Sequence, residues 1–219
     1  ELRPLPPMFT EDQILRAPSS NLMNKLARSV LTLYSYDPDP ETMTLENELR
    51  LAMSLIARTP IIVAHGYAAK RCYIDGGSLY LHRAMPHKGT AENFLAASRD
   101  DRKYCDEEAK LLDLCLVLHA EHGGGNNSTF STRVISSSYT DIFSAIAAGV
   151  GALKGPRHGG ANIRCKEMVD VVAENTKDWN DDDEIRNVLV RILNKELGDG
   201  SGLIYGMGHA VYTISDPRA

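Results

Sequence analysis

Two segments of this chain are apolar around most of a helical circumference. The first, Asp106 to His119, becomes apolar after an acidic first turn, which suits the helix dipole. The second, Asp141 to Leu153, is rich in alanine and glycine, which would let another helix approach closely. Helices of this kind are buried on more than one side. The pattern predicts a multi-helical protein, and its surplus of apolar surface favours a subunit interface.

Other segments also carry helical signals. Apolar residues recur at helical spacing over 21–36. A second helical pattern runs from Thr42 to about Lys70, and Pro60 could kink that helix. Three shorter helices are expected: one opening at the capping-box sequence Thr10–Gln13, one near 91–98, and one capped by Asn180 and ended by Gly198.

One β-hairpin is predicted at 72–81. Residues 72–74 and 79–81 flank Asp75-Gly76-Gly77-Ser78, a turn composition that tolerates positive φ. The expected fold class is therefore all-α with one small hairpin.

Composition limits the function classes. The 219 residues carry 24 Lys and Arg against 29 Asp and Glu, so the mild net charge of −5 gives no support to a nucleic-acid partner. Four scattered cysteines without a CxxC pair predict reduced thiols in a cytoplasmic protein. The longest apolar run, 143–153, is too short to span a bilayer, so no membrane partner is expected.

The ends and the change in composition suggest how the chain is organised. It begins at Glu1 rather than Met and stops at Ala219 directly after a motif, so a piece of a longer polypeptide is expected. After Asn162 the helices become amphipathic and more exposed. A domain boundary is therefore expected near Gly160.

Glycines surround histidines in three places. These are His119-Ala-Glu-His122-Gly-Gly-Gly-Asn126, Gly155-Pro-Arg-His158-Gly-Gly-Ala-Asn162, and Gly206-Met-Gly208-His209-Ala, which leads on to Asp216-Pro-Arg218. Glycine lets backbone approach a ligand, and histidine exchanges protons near neutral pH. The three segments predict one site built from three loops, which favours a polar, anionic substrate.

Each motif taken alone has more than one interpretation. His158 could donate a hydrogen bond to a developing enolate beside a helix N-terminus whose N–H groups attract anions, or it could be a turn residue between two helices. His119 and His122, three residues apart, could bind an anion, ligate a metal or cap a helix. Metal is the less favoured, because the HExxH spacing is absent. Arg218 could hold a carboxylate or lie on the surface.

Taken together, the three motifs resemble the signature segments of citrate synthases, in the family's order and at similar spacing. Residues 21–36 are also similar to a helix of that family. The resemblance implies a mainly α-helical homodimer whose cleft, between a large and a small domain, closes on oxaloacetate and then admits acetyl-CoA. It also implies that residues 1–160 form the large helical domain, N-terminally incomplete and involved in dimerisation, and that residues 161–219 form part of the small domain. Acetyl-CoA would be a co-substrate, with no permanently bound cofactor and no metal.

The resemblance also implies residue roles. His158 would stabilise the enol of acetyl-CoA, and His209 would act as an acid toward the oxaloacetate carbonyl. Oxaloacetate would be bound by His122, Arg218, Asn126 (a weaker candidate) and, as a supporting residue, His119. The adenine of CoA would meet the backbone of Leu203, Ile204, Tyr205, Gly206, Met207 and Gly208.

The chain departs from the family in one respect. The family's catalytic base is an aspartate downstream of the Asp-Pro-Arg segment, so these 219 residues alone are expected to be inactive. Three alternatives stay open: a 2-methylcitrate synthase that uses propionyl-CoA, a truncated non-catalytic dimer serving as scaffold or sensor, and, least favoured, a metal hydrolase.

Overall fold

The computed structural model describes residues 2–120, 125–207 and 213–214, and helices dominate it. The α-helices are α1 (Leu22–Leu33), α2 (Leu45–Tyr73), α3 (Thr90–Ser98), α4 (Asp106–Leu118), α5 (Asn127–Ser136), α6 (Ile142–Leu153), α7 (Ala161–Asn175) and α8 (Asp182–Leu193). A short π-helix, Thr10–Leu15, precedes α1, and a 3₁₀ turn, Tyr34–Tyr36, extends it. The described residues contain no strand, so the all-α prediction is confirmed.

The predicted hairpin at 72–81 is wrong. Its first strand instead forms the end of α2, and the amides of Ile74 and Asp75 donate to the carbonyl of Lys70 at 2.9 and 3.1 Å. Gly76 follows with φ +77°, the left-handed conformation that commonly ends helices. The glycine-rich turn therefore terminates a long helix, because the last helical carbonyls take the amides that a hairpin would have used.

Side-chain caps fix where most helices begin. Oxygens of Asn21, Thr44, Asn126, Asp141 and Asp181 accept amide hydrogen bonds from the first turns of α1, α2, α5, α6 and α8. The expected cap at Asn180 is therefore wrong by one residue. Helix α8 also ends at Leu193 rather than Gly198, because Lys195 already turns to φ +65°.

The chain forms two compact units, Glu1–Lys154 and Gly155–Ala219. In the first unit, α6 packs against α1 and α5, while α2 packs against α1 and α3. Its main core contains Phe9, Ile14, Leu26, Val30, Leu33, Leu51, Leu55, Ile62, Ala69 and Phe143. In the second unit, Val172 of α7 packs with Val188 and Ile192 of α8. The predicted boundary near Gly160, and the assignment of large and partial small domains, stay predictions.

Glycine sets the spacing between α5 and α6. A Cβ placed on Gly149 would overlap the hydroxyl of Thr132, whereas one placed on Gly151 would meet nothing within 4 Å. The expectation that small residues in this segment admit a neighbouring helix is therefore met at Gly149.

Helix α2 has the length and hydropathy of a membrane-spanning helix, and it is the one such helix among the described residues. Its buried side chains include Leu51, Leu55 and Ile62, which belong to the core of the first unit. Because a core helix passes the same test, we interpret α2 as a core helix.

Candidate active site

The backbone around His158 is fixed within the turn that precedes α7. The amide of His158 donates to the carbonyl of Gly155 at 2.9 Å, and its own carbonyl accepts from Ala161 at 3.0 Å. A third hydrogen bond, from the amide of Gly160 to the carbonyl of Gly155 at 3.1 Å, closes the turn. The side chain is partly buried. The histidine therefore projects from a hydrogen-bonded turn.

The first amides of α7 are already used within that turn. Those of Ala161, Asn162 and Ile163 donate to the carbonyls of residues 158, 159 and 160 at 3.0–3.2 Å. These bonds span three residues, the tighter pattern common at helix ends. The expectation that this N-terminus offers free N–H groups to an anion is not met by these amides.

His119 lies at the C-terminal end of α4. Its amide donates to the carbonyl of Cys115 at 3.1 Å, and its Nδ1 lies 2.7 Å from the same oxygen. A carbonyl accepts only, so Nδ1 carries the hydrogen and Nε2 is the acceptor in the neutral ring. This geometry favours the helix-capping interpretation of His119. Its supporting role toward oxaloacetate stays a prediction.

Asn126 forms the N-cap of α5. Its Oδ1 accepts from the amide of Thr129 at 2.9 Å and from the hydroxyl of Ser128 at 2.8 Å. Helix α5 was not predicted from the sequence. The available signal was an N-capping asparagine followed by Phe130 and Val134 at helical spacing. Asn126 therefore organises the start of a helix, and substrate binding by it stays a prediction.

The segment predicted to meet CoA is attached to α7 by two sulfur atoms. The carbonyl of Tyr205 lies 3.6 Å from Sγ of Cys165, and its amide lies 3.2 Å from Sδ of Met168. The residues on either side of this attachment, Leu203 and Met207, are 56% and 77% exposed. The segment is thus anchored at its middle and accessible on both sides.

The ring of Tyr205 is anchored at its hydroxyl as well. That hydroxyl donates to Oδ2 of Asp199 at 2.7 Å. Hydrogen bonds from the hydroxyl and amide of Ser201, together with that from Tyr205, lower the pKa of Asp199 to about 2. Asp199 is therefore ionised at neutral pH and accepts from both residues.

The predicted site residues fall into three groups. His119 and Asn126 belong to the first unit, whereas His158 and residues 203–207 belong to the second. Within the second unit, His158 lies in the turn before α7, and residues 203–207 contact α7 through Tyr205. His122, Gly208, His209 and Arg218 lie outside the described residues. Across the described part of the chain, no three His, Cys, Asp or Glu side chains are placed to hold a metal ion.

Residues 1–219 match the family model described as citrate synthase, C-terminal domain. The chain belongs to the citrate synthase family. Among curated relatives, it is 35% identical to 2-methylcitrate synthase 1 of Corynebacterium glutamicum, with 90% of this chain and 48% of the relative aligned. It is 34% identical to citrate synthase of Deinococcus radiodurans, over 90% of this chain and 47% of the relative. The chain thus spans about half the length of these relatives.

Solved citrate synthases share the fold. The enzyme from Pyrobaculum aerophilum superposes with a TM-score of 0.77 and 30% identity, covering all of this chain and 52% of that one. The enzyme from Thermoplasma acidophilum, solved with carboxymethyl coenzyme A and oxaloacetate, gives a TM-score of 0.73 and 25% identity, covering 98% of this chain and 51% of that one.

Proposed function

We propose that the protein containing this chain is a citrate synthase, an acyltransferase that converts an acyl group into an alkyl group on transfer. It would condense acetyl-CoA with oxaloacetate and water to give citrate and CoA through an enol intermediate. The observation that carries this proposal is the family match over residues 1–219. Citrate synthases among the curated relatives support it, as does the related enzyme solved with a CoA analogue and oxaloacetate.

The proposed mechanism gives the histidines separate tasks. Removing a proton from the methyl group of a thioester places negative charge on its oxygen, and His158 would donate a hydrogen bond there. His209 would give a proton to the oxaloacetate carbonyl as the carbon–carbon bond forms. His122 and Arg218 would bind oxaloacetate, with Asn126 and His119 supporting that site.

The turn around His158 suits the first task. Hydrogen bonds at both the amide and the carbonyl of His158 hold its backbone in place. A donor that is fixed before the reaction stabilises a developing charge without reorganising during it. Residues 203–208 would meet the adenine of CoA, and Cys165 and Met168 of α7 would hold the middle of that segment.

A second candidate function rests on one relative. The 35% identity to 2-methylcitrate synthase 1 supports propionyl-CoA as an alternative acyl donor. The two donors differ by one methylene, which a pocket distinguishes by about 1–3 kcal/mol. The ratio of kcat/KM for acetyl-CoA and propionyl-CoA, measured with the gene product that contains this chain, decides between them.

We also propose a cytoplasmic homodimer. Leu111, Leu114 and Val117 of α4 are all more than half exposed, an apolar face of the kind that marks interfaces. Helix α6, the other apolar segment, is instead covered by α1 and α5 of the same unit. Sedimentation equilibrium of the gene product and of its Leu114→Asp variant tests the dimer, since the charge should shift the population toward monomer.

Citrate formation, followed as release of the CoA thiol, tests the activity directly. The gene product that contains these residues should release thiol only when acetyl-CoA and oxaloacetate are both present. Residues 1–219 alone should bind oxaloacetate weakly and form no citrate, because the base that the family uses is absent from them. Full turnover by residues 1–219 alone would contradict this assignment of the base.

A further inference from the structure

A cavity of about 510 Å³ opens in the first unit, formed entirely by elements of that unit. The segment from Arg3 to Glu11 forms one wall, Ile61 and His65 of α2 form a second, and the segment from Leu81 to Ala84 forms a third. Binding sites for small molecules generally enclose about 300–1,000 Å³. The volume is therefore sufficient for a ligand of moderate size.

The lining combines an apolar surface with a local excess of positive charge. Leu5, Ile61 and Leu81 contribute apolar side chains. Arg3 and Arg83 carry two positive charges against the single carboxylate of Glu11. The chain as a whole has a formal net charge of −5, so this excess of positive charge is confined to the cavity lining and does not reflect the overall composition. Arginine beside apolar walls attracts anions more strongly than it does in open solvent.

Hydrogen bonds fix the inner wall. Nε2 of His65 lies 3.2 Å from the carbonyl of His82, and Nδ1 lies 2.9 Å from the hydroxyl of Thr10. Nε2 must therefore donate to the carbonyl, so Nδ1 accepts from Thr10. Burial lowers the pKa of His65, which keeps this ring neutral. Three segments distant in sequence are thus joined at one rigid wall.

His82 extends this arrangement. Its Nε2 lies 3.0 Å from the carbonyl of Asp100, whose carboxylate forms a two-point ion pair with Arg71 of α2. The segment that carries Leu81 and Arg83 is therefore tied back to α2 on both sides. A pre-formed wall reduces the ordering cost of binding a ligand.

We propose that this cavity binds a small organic anion with an apolar body, its charged group held by Arg83 and Arg3 and its body placed against Leu5, Ile61 and Leu81. The residues that line this cavity include none from the three histidine motifs, and the proposal does not depend on citrate synthase activity. Ala84 lies at the cavity wall, so a large side chain there would occupy the space that the apolar body needs.

Phenyl phosphate is a suitable probe because it combines a dianionic group with an apolar ring. Binding to the purified protein is measured by titration calorimetry, with phenol and inorganic phosphate as the two partial ligands. Phenyl phosphate should bind at one site per chain, at least tenfold more tightly than either partial ligand. Equal affinity for phenol and phenyl phosphate would overturn the proposal, as would no saturable binding up to 10 mM, roughly the weak limit for a specific site.

Three variants locate the probe. Arg83→Gln should weaken phenyl phosphate binding at least fivefold, and Ala84→Trp should abolish it. Arg102→Gln, an exposed arginine of the same unit outside the cavity, should leave it unchanged. Unchanged far-UV circular dichroism confirms that each variant folds. Equal weakening by Arg102→Gln and Arg83→Gln would show a general charge effect and overturn the proposal.

Competition separates this cavity from the proposed substrate site. Saturating oxaloacetate and CoA should leave phenyl phosphate binding unchanged, and His158→Gln should not affect it. Imidazole resonances of His65 and His82 should shift on binding, as read by ¹H–¹⁵N spectroscopy. Displacement by CoA without any shift at these two histidines would place the probe in the substrate site and contradict the proposal.

Discussion

The sulfur of Cys165 lies against the backbone of the residue before Gly206. Sγ is 3.6 Å from the carbonyl oxygen of Tyr205, and a Cβ placed on Gly206 would come within 3.1 Å of the same sulfur. Gly206 also has φ +90°, a backbone conformation that residues other than glycine rarely adopt. Two independent constraints therefore select glycine in the segment that we propose contacts CoA.

The first prediction concerns Gly206→Ala. The positive φ costs about 1–2 kcal/mol for a residue with a side chain, and the new methyl group presses on Cys165. The segment should shift, and KM for acetyl-CoA in the gene product should rise about five- to thirtyfold, with KM for oxaloacetate unchanged.

Gly200→Ala is the matched control for this prediction. Gly200 has φ +71°, but a Cβ there meets nothing within 4 Å. The control should lose stability through the same backbone strain while leaving KM for acetyl-CoA unchanged. Equal KM values for the two variants would show that contact with Cys165 does not position the segment.

The second prediction concerns the packing of α5 on α6. Gly149→Ala should destabilise the protein by about 1–3 kcal/mol, because its methyl group would overlap the Thr132 hydroxyl. Gly151→Ala in the same helix should be neutral or stabilising by about 0.5–1 kcal/mol, because alanine favours a helix and open space surrounds the site. Urea unfolding measures both, and a destabilisation shared by the two variants would contradict the packing argument.

The third prediction concerns pH and His65. Burial lowers the pKa of His65 below its ordinary value of 6.5, so the unfolded chain takes up this proton before the folded one does. The unfolded state therefore binds more protons below pH 6.5, so the free energy of unfolding should decrease as the pH is lowered below that value. His65→Asn should flatten that part of the profile. An unchanged slope would show that His65 is protonated equally in both states.

Thr10 provides a fourth prediction at the same wall. Thr10→Val removes the donor to Nδ1 of His65 and should cost about 1–3 kcal/mol of unfolding free energy. Thr10→Ser retains the hydroxyl and should keep most of that stability. Because valine keeps the methyl group of Thr10 and loses only its hydroxyl, a Val variant as stable as wild type would show that the hydrogen bond does not stabilise the fold.

Helices were predictable where the local pattern was strong. Asn21, Thr44 and Asp141 cap helices whose apolar periodicity is visible in the sequence. The hairpin failed because Gly76 suits a helix C-terminus as well as a hairpin turn, and the length of α2 decided between them. Local composition does not record how far the preceding helix continues.

A short helix does begin at Thr10, as predicted, but a tertiary contact takes the place of a side-chain cap there. Thr10 has the local sequence of a helix cap, yet its hydroxyl contacts His65, 55 residues away. The cavity beside them was missed for the same reason, since no short motif joins these residues. Candidate site residues came instead from three motifs and their family resemblance, and only His119, Asn126, His158 and residues 203–207 can be placed in the described structure.

The proposed role of His158 is tested by kcat for citrate formation, measured for the gene product and its His158→Ala variant. Alanine offers no donor to the enol oxygen, so kcat should fall about 10²–10³-fold, with little change in KM for oxaloacetate. His87→Ala, at an exposed histidine in the first unit, serves as the control and should retain kcat. A His158→Ala enzyme whose kcat stays within about threefold of wild type would contradict the assignment, since that change is under 1 kcal/mol.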